Sequence, residues 1–201
     1  MTPPSKSLYL GERLSYSDAT LNLAQLLRHN PDSPDEVKGN GQLTTEAEHF
    51  KELGIQLENP LIWHLVVRNI GGDDDFFVEG NIKGTALIDC RRCLQKVPSK
   101  IASDFFYPMN YVPGTTQLTL AELGDGKEDE DLLIFGQTEV DFGPMLIQLF
   151  AIDLPLTALC KESCRGLSLD GVNLNDHPEM VENPKSGNPS VFAVLKDLDL
   201  Q

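Results

Sequence analysis

The chain has 201 residues, 40% of them hydrophobic, with 31 Asp and Glu against 16 Lys and Arg for a formal net charge of -15. That is enough apolar material for one ordinary core plus a tail. The acidic balance argues against general nucleic-acid affinity, which draws on clustered Lys and Arg, and suits encounter with a basic partner. No apolar stretch follows Met1-Thr2-Pro3-Pro4-Ser5-Lys6, and no run approaches the ~18 apolar residues of a spanning helix, so a soluble cytoplasmic protein is expected. In that reducing compartment, cysteine pairs serve as metal ligands or catalytic thiols more often than as structural disulfides.

In chain order, residues 1–7 read as a disordered lead, 8–174 as a single α+β domain, and 175–201 as a linker and C-terminal helix. Residues 7–10 suit a short strand. Asp18 or Thr20 is placed to cap a helix carrying Leu21, Leu23, Leu26 and Leu27, with Asn30-Pro31 ending it. Residues 61–68 form a β-branched strand, residues 71–75 turn the chain, and residues 76–89 form a long strand whose Gly80 and Gly84 mark a bend or bulge. Residues 94–107 alternate as its return, which puts Cys90 and Cys93 at a hairpin tip.

Residues 113–131 read as a loop, with Glu122, Asp125, Glu128, Asp129, Glu130 and Asp131 against Lys127. Their spacing lacks the pattern of a calcium-binding hand, so a solvated acidic loop is expected. Residues 132–135 suit a strand. Asp141 is placed to cap a helix from 142 to about 152 that is apolar nearly all round and therefore buried. After the linker, Val191, Val194, Leu195 and Leu198 share one helical face. With Phe192 they form a tail that docks either on its own domain or on a partner.

Four cysteines carry the chemistry: Cys90 and Cys93, spaced C-x-x-C, and Cys160 and Cys164, spaced C-x-x-x-C. Four thiolates suffice for tetrahedral zinc if the fold unites the pairs; otherwise they are unmetallated thiols. His64 and His177 are candidate substitute ligands. The strand-to-strand setting of Cys90 argues against a thioredoxin-like motif. No glycine-rich phosphate loop, serine elbow or His-Asp-nucleophile spacing is present, so no enzyme is expected and no small-molecule substrate is evident. Arg91, Arg92 and Lys96, with Lys100 nearby, make a basic cluster. Arg91, Arg92, Lys161 and Arg165 would surround a zinc centre of net charge -2. The set Arg91, Arg92, Lys96 and Arg165 either contacts RNA phosphate or an acidic protein surface, or compensates the metal's thiolates, or is simply solvated.

The ordered set of motifs resembles the YceD family. It comprises Leu21-Asn22-Leu23-x-x-Leu26-Leu27-Arg28, then Gly84-Thr85-Ala86-Leu87 leading to Cys90-Arg91-Arg92-Cys93-Leu94. Val140-Asp141-Phe142 and Leu154-Pro155-Leu156 follow. Leu159-Cys160-x-x-x-Cys164-Arg165-Gly166-Leu167 and Asn173-Leu174-Asn175 come next, then Asn188-Pro189-x-x-Phe192-Ala193-Val194-Leu195. The resemblance implies a role in accumulation of large-subunit ribosomal RNA, with no established enzymatic activity. Many members carry Cys-Pro-x-Cys-Gly where this chain has Ser168-Leu169-Asp170-Gly171. Either the family's metal site lies downstream and is halved here, or Cys90 and Cys93 join Cys160 and Cys164 and it is whole.

The expected fold is α+β: a bent antiparallel sheet, partly barrel-like, with a few packed helices. The expected function is a non-enzymatic ribosome-biogenesis factor that contacts ribosomal precursors or ribosomal proteins, without a membrane. The alternative is a cysteine-based metal- or redox-sensing regulator.

Overall fold

Strand β3 (Leu57–Asn69) sets the core, because Leu61, Trp63, Leu65 and Val67 alternate inward while Ile62 and His64 face out. In the computed structural model the described residues are 19–28, 35–44, 48–71, 75–121 and 132–180. Strand β2 (Glu36–Leu43) pairs antiparallel with β3 from Glu36↔Arg68 to Leu43↔Leu61. Strand β4 (Asp75–Asp89) pairs on the other side of β3, antiparallel. The sheet continues through β5 (Lys96–Tyr111), β7 (Leu133–Phe135) and β6 (Thr119–Leu120), in the order β2-β3-β4-β5-β7-β6. A second, two-stranded sheet joins β1 (Thr20–Asn22) to β8 (Glu139–Asp141). Among the described residues, helices α1 (Glu48–Glu52) and α2 (Gly143–Ile152) complete the regular elements, with a 3₁₀ turn at Pro178–Met180.

The chain separates into two compact units. Unit 1 comprises Met1–Ile88 and Pro98–Leu156, and unit 2 comprises Asp89–Val97 and Thr157–Gln201. The core of unit 1 is apolar and aromatic: Phe50 meets Phe150 edge-on at 6.5 Å, and Phe76 meets Phe135 at 5.5 Å. Each such ring taken fully out of water is worth about 1.5–3 kcal/mol. Among the described residues, unit 2 has no comparable core. Its buried cluster is Cys90, Cys93 and Cys164, with Val97, Leu159, Cys160 and Leu167 packed against it.

The mostly-sheet character with few helices agrees with expectation, but three details are corrected. First, the sheet is not closed into a barrel. Strands β2 and β6 remain its edges, and the two and three residues of β6 and β7 are too short to curl round to β2. Second, it is not purely antiparallel, since β5 and β7 run parallel from Met109↔Leu133 to Tyr111↔Phe135. Third, the leucine stretch after residue 19 is not a helix. Thr20, Leu21 and Asn22 pair with Asp141, Val140 and Glu139, and only one turn follows, closed by bonds from the Leu26 and Leu27 amides to the Leu23 carbonyl. Leu21 and Leu23 are two apart, which suits a strand face as well as a helix, and the pairing with β8 decides it. Leu21, Leu23 and Leu26 are buried all the same.

The expected bulge is present at Gly84, whereas Gly80 pairs in regular register with Leu65. The β3–β4 register shifts between Asn59 and Ile62, opposite Gly84. A Cβ on Gly80 would lie 2.3 Å from the His64 carbonyl oxygen. Helix α2 buries Gly143, Leu146, Ile147 and Phe150 but leaves Ile152 77% exposed, so it is one-sided rather than buried all round. The Asp141 carboxylate accepts the Gly143 N–H at 2.8 Å. The expected strand at 7–10, the acidic residues 122–131 and the tail at 190–198 lie outside the described residues.

Candidate metal centre

Both cysteine loops are tight turns built by backbone hydrogen bonds within unit 2. In the first, the Leu94 N–H donates to the Cys90 carbonyl at 2.9 Å and the Cys90 N–H donates to the Gln95 carbonyl at 2.8 Å. Leu94 adopts a left-handed φ of 59°, which costs a leucine about 1–2 kcal/mol and turns the chain sharply behind Cys93. In the second loop the Cys164 N–H donates to the Lys161 carbonyl at 3.0 Å, and Gly166 follows with a φ of 81°. The loops are held together by a parallel bridge between Cys90 and Ala158 and by the Arg91 N–H donating to the Ala158 carbonyl at 3.0 Å.

This arrangement brings all four sulfurs together. Cys90 and Cys164 are 3.8 Å apart at Sγ, Cys93 and Cys160 are 3.6 Å apart, and all four ligand atoms lie within 4.8 Å of one another. These are free thiols, because a disulfide holds its sulfurs at about 2.05 Å. A zinc ion with Zn–S bonds of about 2.3 Å has sulfurs about 3.8 Å apart on a regular tetrahedron, so the donor set fits a four-thiolate metal site. The two pairs meet with each other, not with a further downstream motif. Downstream of the second pair, Ser168 and Gly171 form a turn. Its Ser168 Oγ accepts the Val172 N–H at 3.1 Å, and Gly171 has a φ of 80°. Among the described residues, no histidine enters the cluster. His177 instead meets Glu179 at 3.1 Å through Nδ1.

The thiols titrate in opposite directions. Cys90 is lowered to about 6, because the backbone N–H groups of Cys160 and then Cys93 point at its sulfur. Cys164 is lowered by the Asn175 side-chain amide and then by the Gly166 N–H. Cys160 is pushed up to about 12 by burial and by the three neighbouring sulfurs, Cys164 first. Cys93 is also raised: the Gln95 amide lowers it, but burial and the sulfurs of Cys90 and Cys164 outweigh that. Four thiolates in this space repel unless a cation sits among them.

The basic residues divide. Arg92 Nη1 donates to the carbonyls of Glu162 and Cys164, each at 3.0 Å, and so clamps the first cysteine loop to the second. Lys96 pairs with Asp89 at 2.9 Å. Arg91 and Arg165 are exposed. Two residues that the reading of metal ligands missed belong to the site. Asn175 donates its side-chain N–H to Cys164 Sγ at 3.3 Å and accepts the Arg165 N–H at 3.0 Å. Asn173 Oδ1 accepts both the backbone N–H of Asn175 and its side-chain Nδ2–H. The Asn173-Leu174-Asn175 motif was the available signal. Asn175 is therefore built into the site although composition put it at the head of a linker.

The family model for large ribosomal RNA subunit accumulation protein YceD matches residues 78–199. The chain belongs to the YceD family. The matched region takes in all four cysteines, Arg92 and both asparagines, so the whole cluster lies inside what this chain shares with the YceD family. That family bears a ribosomal name and is not known as an enzyme family. Neither the curated proteins nor the solved structures contain a match to the chain. No helix among the described residues is long and apolar enough to cross a membrane.

Proposed function

We propose that this chain is a non-enzymatic factor that promotes accumulation of large-subunit ribosomal RNA, and that Cys90, Cys93, Cys160 and Cys164 hold a structural zinc ion that builds unit 2. The observation that carries the reading is the family match over residues 78–199, which encloses the four-sulfur cluster. Zinc held by four thiolates has no open coordination position, so it supplies folding energy rather than catalysis. The chain's own part is to present the sulfurs: Arg92 fixes the two loops against each other, and Asn175 orients Cys164. Arg91 and Arg165 are exposed guanidinium groups next to the cysteines in sequence, available to an acidic partner surface or to RNA phosphate. A net charge of -15 favours action mainly through protein contacts, with a basic ribosomal protein as the partner class.

A redox-sensing regulator is the competing reading. Sensor thiols need exposure and a low pKa together. Cys90, the thiol lowered to about 6, is fully buried, so nothing favours that reading.

Deleting the gene and comparing large- with small-subunit ribosomal RNA tests the ribosomal role. A deficit in the large-subunit species, restored by the intact gene, is expected; unchanged levels overturn it. Elemental analysis of the purified protein tests the metal. One zinc per chain is expected, and a protein that takes up none on reconstitution overturns that part.

A further inference from the structure

We propose that the face of unit 1 between β5 and α2 is a docking groove for an apolar segment of a protein partner that carries a basic residue at one end. Two depressions on this face share Tyr107, Leu149 and Ile152 and so form one surface. The larger, about 480 Å³, is walled by Leu120, Leu133 and Met145. The smaller, about 380 Å³, ends at Asp104 and Asp153. Ile152 is 77% exposed and Leu120 57% exposed, and covering large apolar side chains is the main driving force of association.

Charge selects the occupant. Asp153 accepts a hydrogen bond from Ser103, and neither Asp104 nor Asp153 has a Lys or Arg partner among the described residues. Both are exposed to a partner at the end of the smaller depression. A basic segment end gains from the carboxylates of Asp104 and Asp153. A second copy of this chain brings its own -15 and is repelled, as is nucleic acid. No cysteine lines the groove, and it needs no metal. It narrows the protein-contact part of the function proposed above and rests on that part alone.

A photo-reactive phenylalanine analogue at position 152 of the full chain, irradiated in cells and mapped by mass spectrometry, tests the proposal. The expected result is a cross-link to an apolar segment within a few residues of a Lys or Arg in another protein. Its yield should fall about tenfold in Asp104→Lys and Asp153→Lys chains. The same probe at the exposed Ile62, on β3, should not give it. Asp153→Asn keeps an acceptor for Ser103 and shows whether loss follows charge or folding; a smaller fall is expected there. A cross-link to a segment of the same chain, to a second copy or to RNA overturns the proposal, as does no cross-link or equal yield from Ile62. A ribosomal RNA deficit on deletion without the cross-link overturns the groove alone. The cross-link with normal ribosomal RNA overturns the ribosomal role alone.

Discussion

Asn175 and Cys164 meet through a side-chain N–H···S hydrogen bond of 3.3 Å, and the same asparagine receives the Arg165 N–H and is braced by Asn173. One amide therefore sets both the path of the chain beyond Cys164 and the charge preference of its sulfur, which it lowers. Replacing it by Asp puts a carboxylate where the thiolate has its donor. Zinc affinity of Asn175→Asp is expected to fall about 10–100-fold, the usual cost of losing such an orienting partner. Competition with a colorimetric chelator measures it, and an unchanged affinity removes Asn175 from the site.

Zinc loading should release protons. At pH 7.5 Cys160, pushed up to about 12, and Cys93, also raised, are thiols and must each give up a proton to bind. Cys90 runs the other way. Its pKa is depressed to about 6, so the stability it lends the metal-free unit is present above its ordinary value of 9.0 and is lost as pH falls through about 6. Acid therefore weakens both the metal-free unit and zinc retention. Titration calorimetry in buffers of differing ionisation enthalpy reads the release, and heats independent of buffer contradict it.

Chelation should open unit 2 selectively, because its buried cluster is mostly sulfur whereas unit 1 has an aromatic core. After zinc removal the four cysteines should react with an alkylating agent, and proteases should cut within 157–180. Fragments of unit 1 should persist. Equal resistance before and after chelation shows that metal does not build the unit.

Gly166→Ala should destabilise the centre without touching a ligand. The position has a φ of 81°, and a Cβ there would sit 3.0 Å from the Arg92 carbonyl oxygen. Left-handed backbone alone costs a non-glycine residue about 1–2 kcal/mol. The expected readout is faster zinc transfer to a chelator, with the thermal transition of unit 1 unmoved.

Gly80→Ala is the complementary substitution. Its Cβ would meet the His64 carbonyl at 2.3 Å and the Phe105 ring at 2.8 Å, inside the β3–β4 pairing. Overpacking of this kind costs about 1–3 kcal/mol. Thermal unfolding should shift downward while zinc stoichiometry stays the same; a loss of zinc would show that the centre depends on this part of the sheet.

Local pattern carried much of this protein. β-branched residues at 61–68 marked β3, and alternation in residues 94–107 marked β5, because side chains in a strand point alternately to opposite faces and that period is written in consecutive residues. The tight spacing of Cys90 and Cys93 marked a knuckle, and the ordered motifs marked the family. The leucines at 21, 23 and 26 were legible as buried but not as strand or turn, since that depended on pairing with β8, more than a hundred residues away. The parallel β5–β7 pair was hidden for the same reason. So was the meeting of the two cysteine pairs: sequence spacing shows that each pair can grip a metal, but only the folded chain decides that Cys93 comes within 3.6 Å of Cys160. Arg92 and Asn175 take their roles from backbone carbonyls and a sulfur that only the tertiary structure sets beside them.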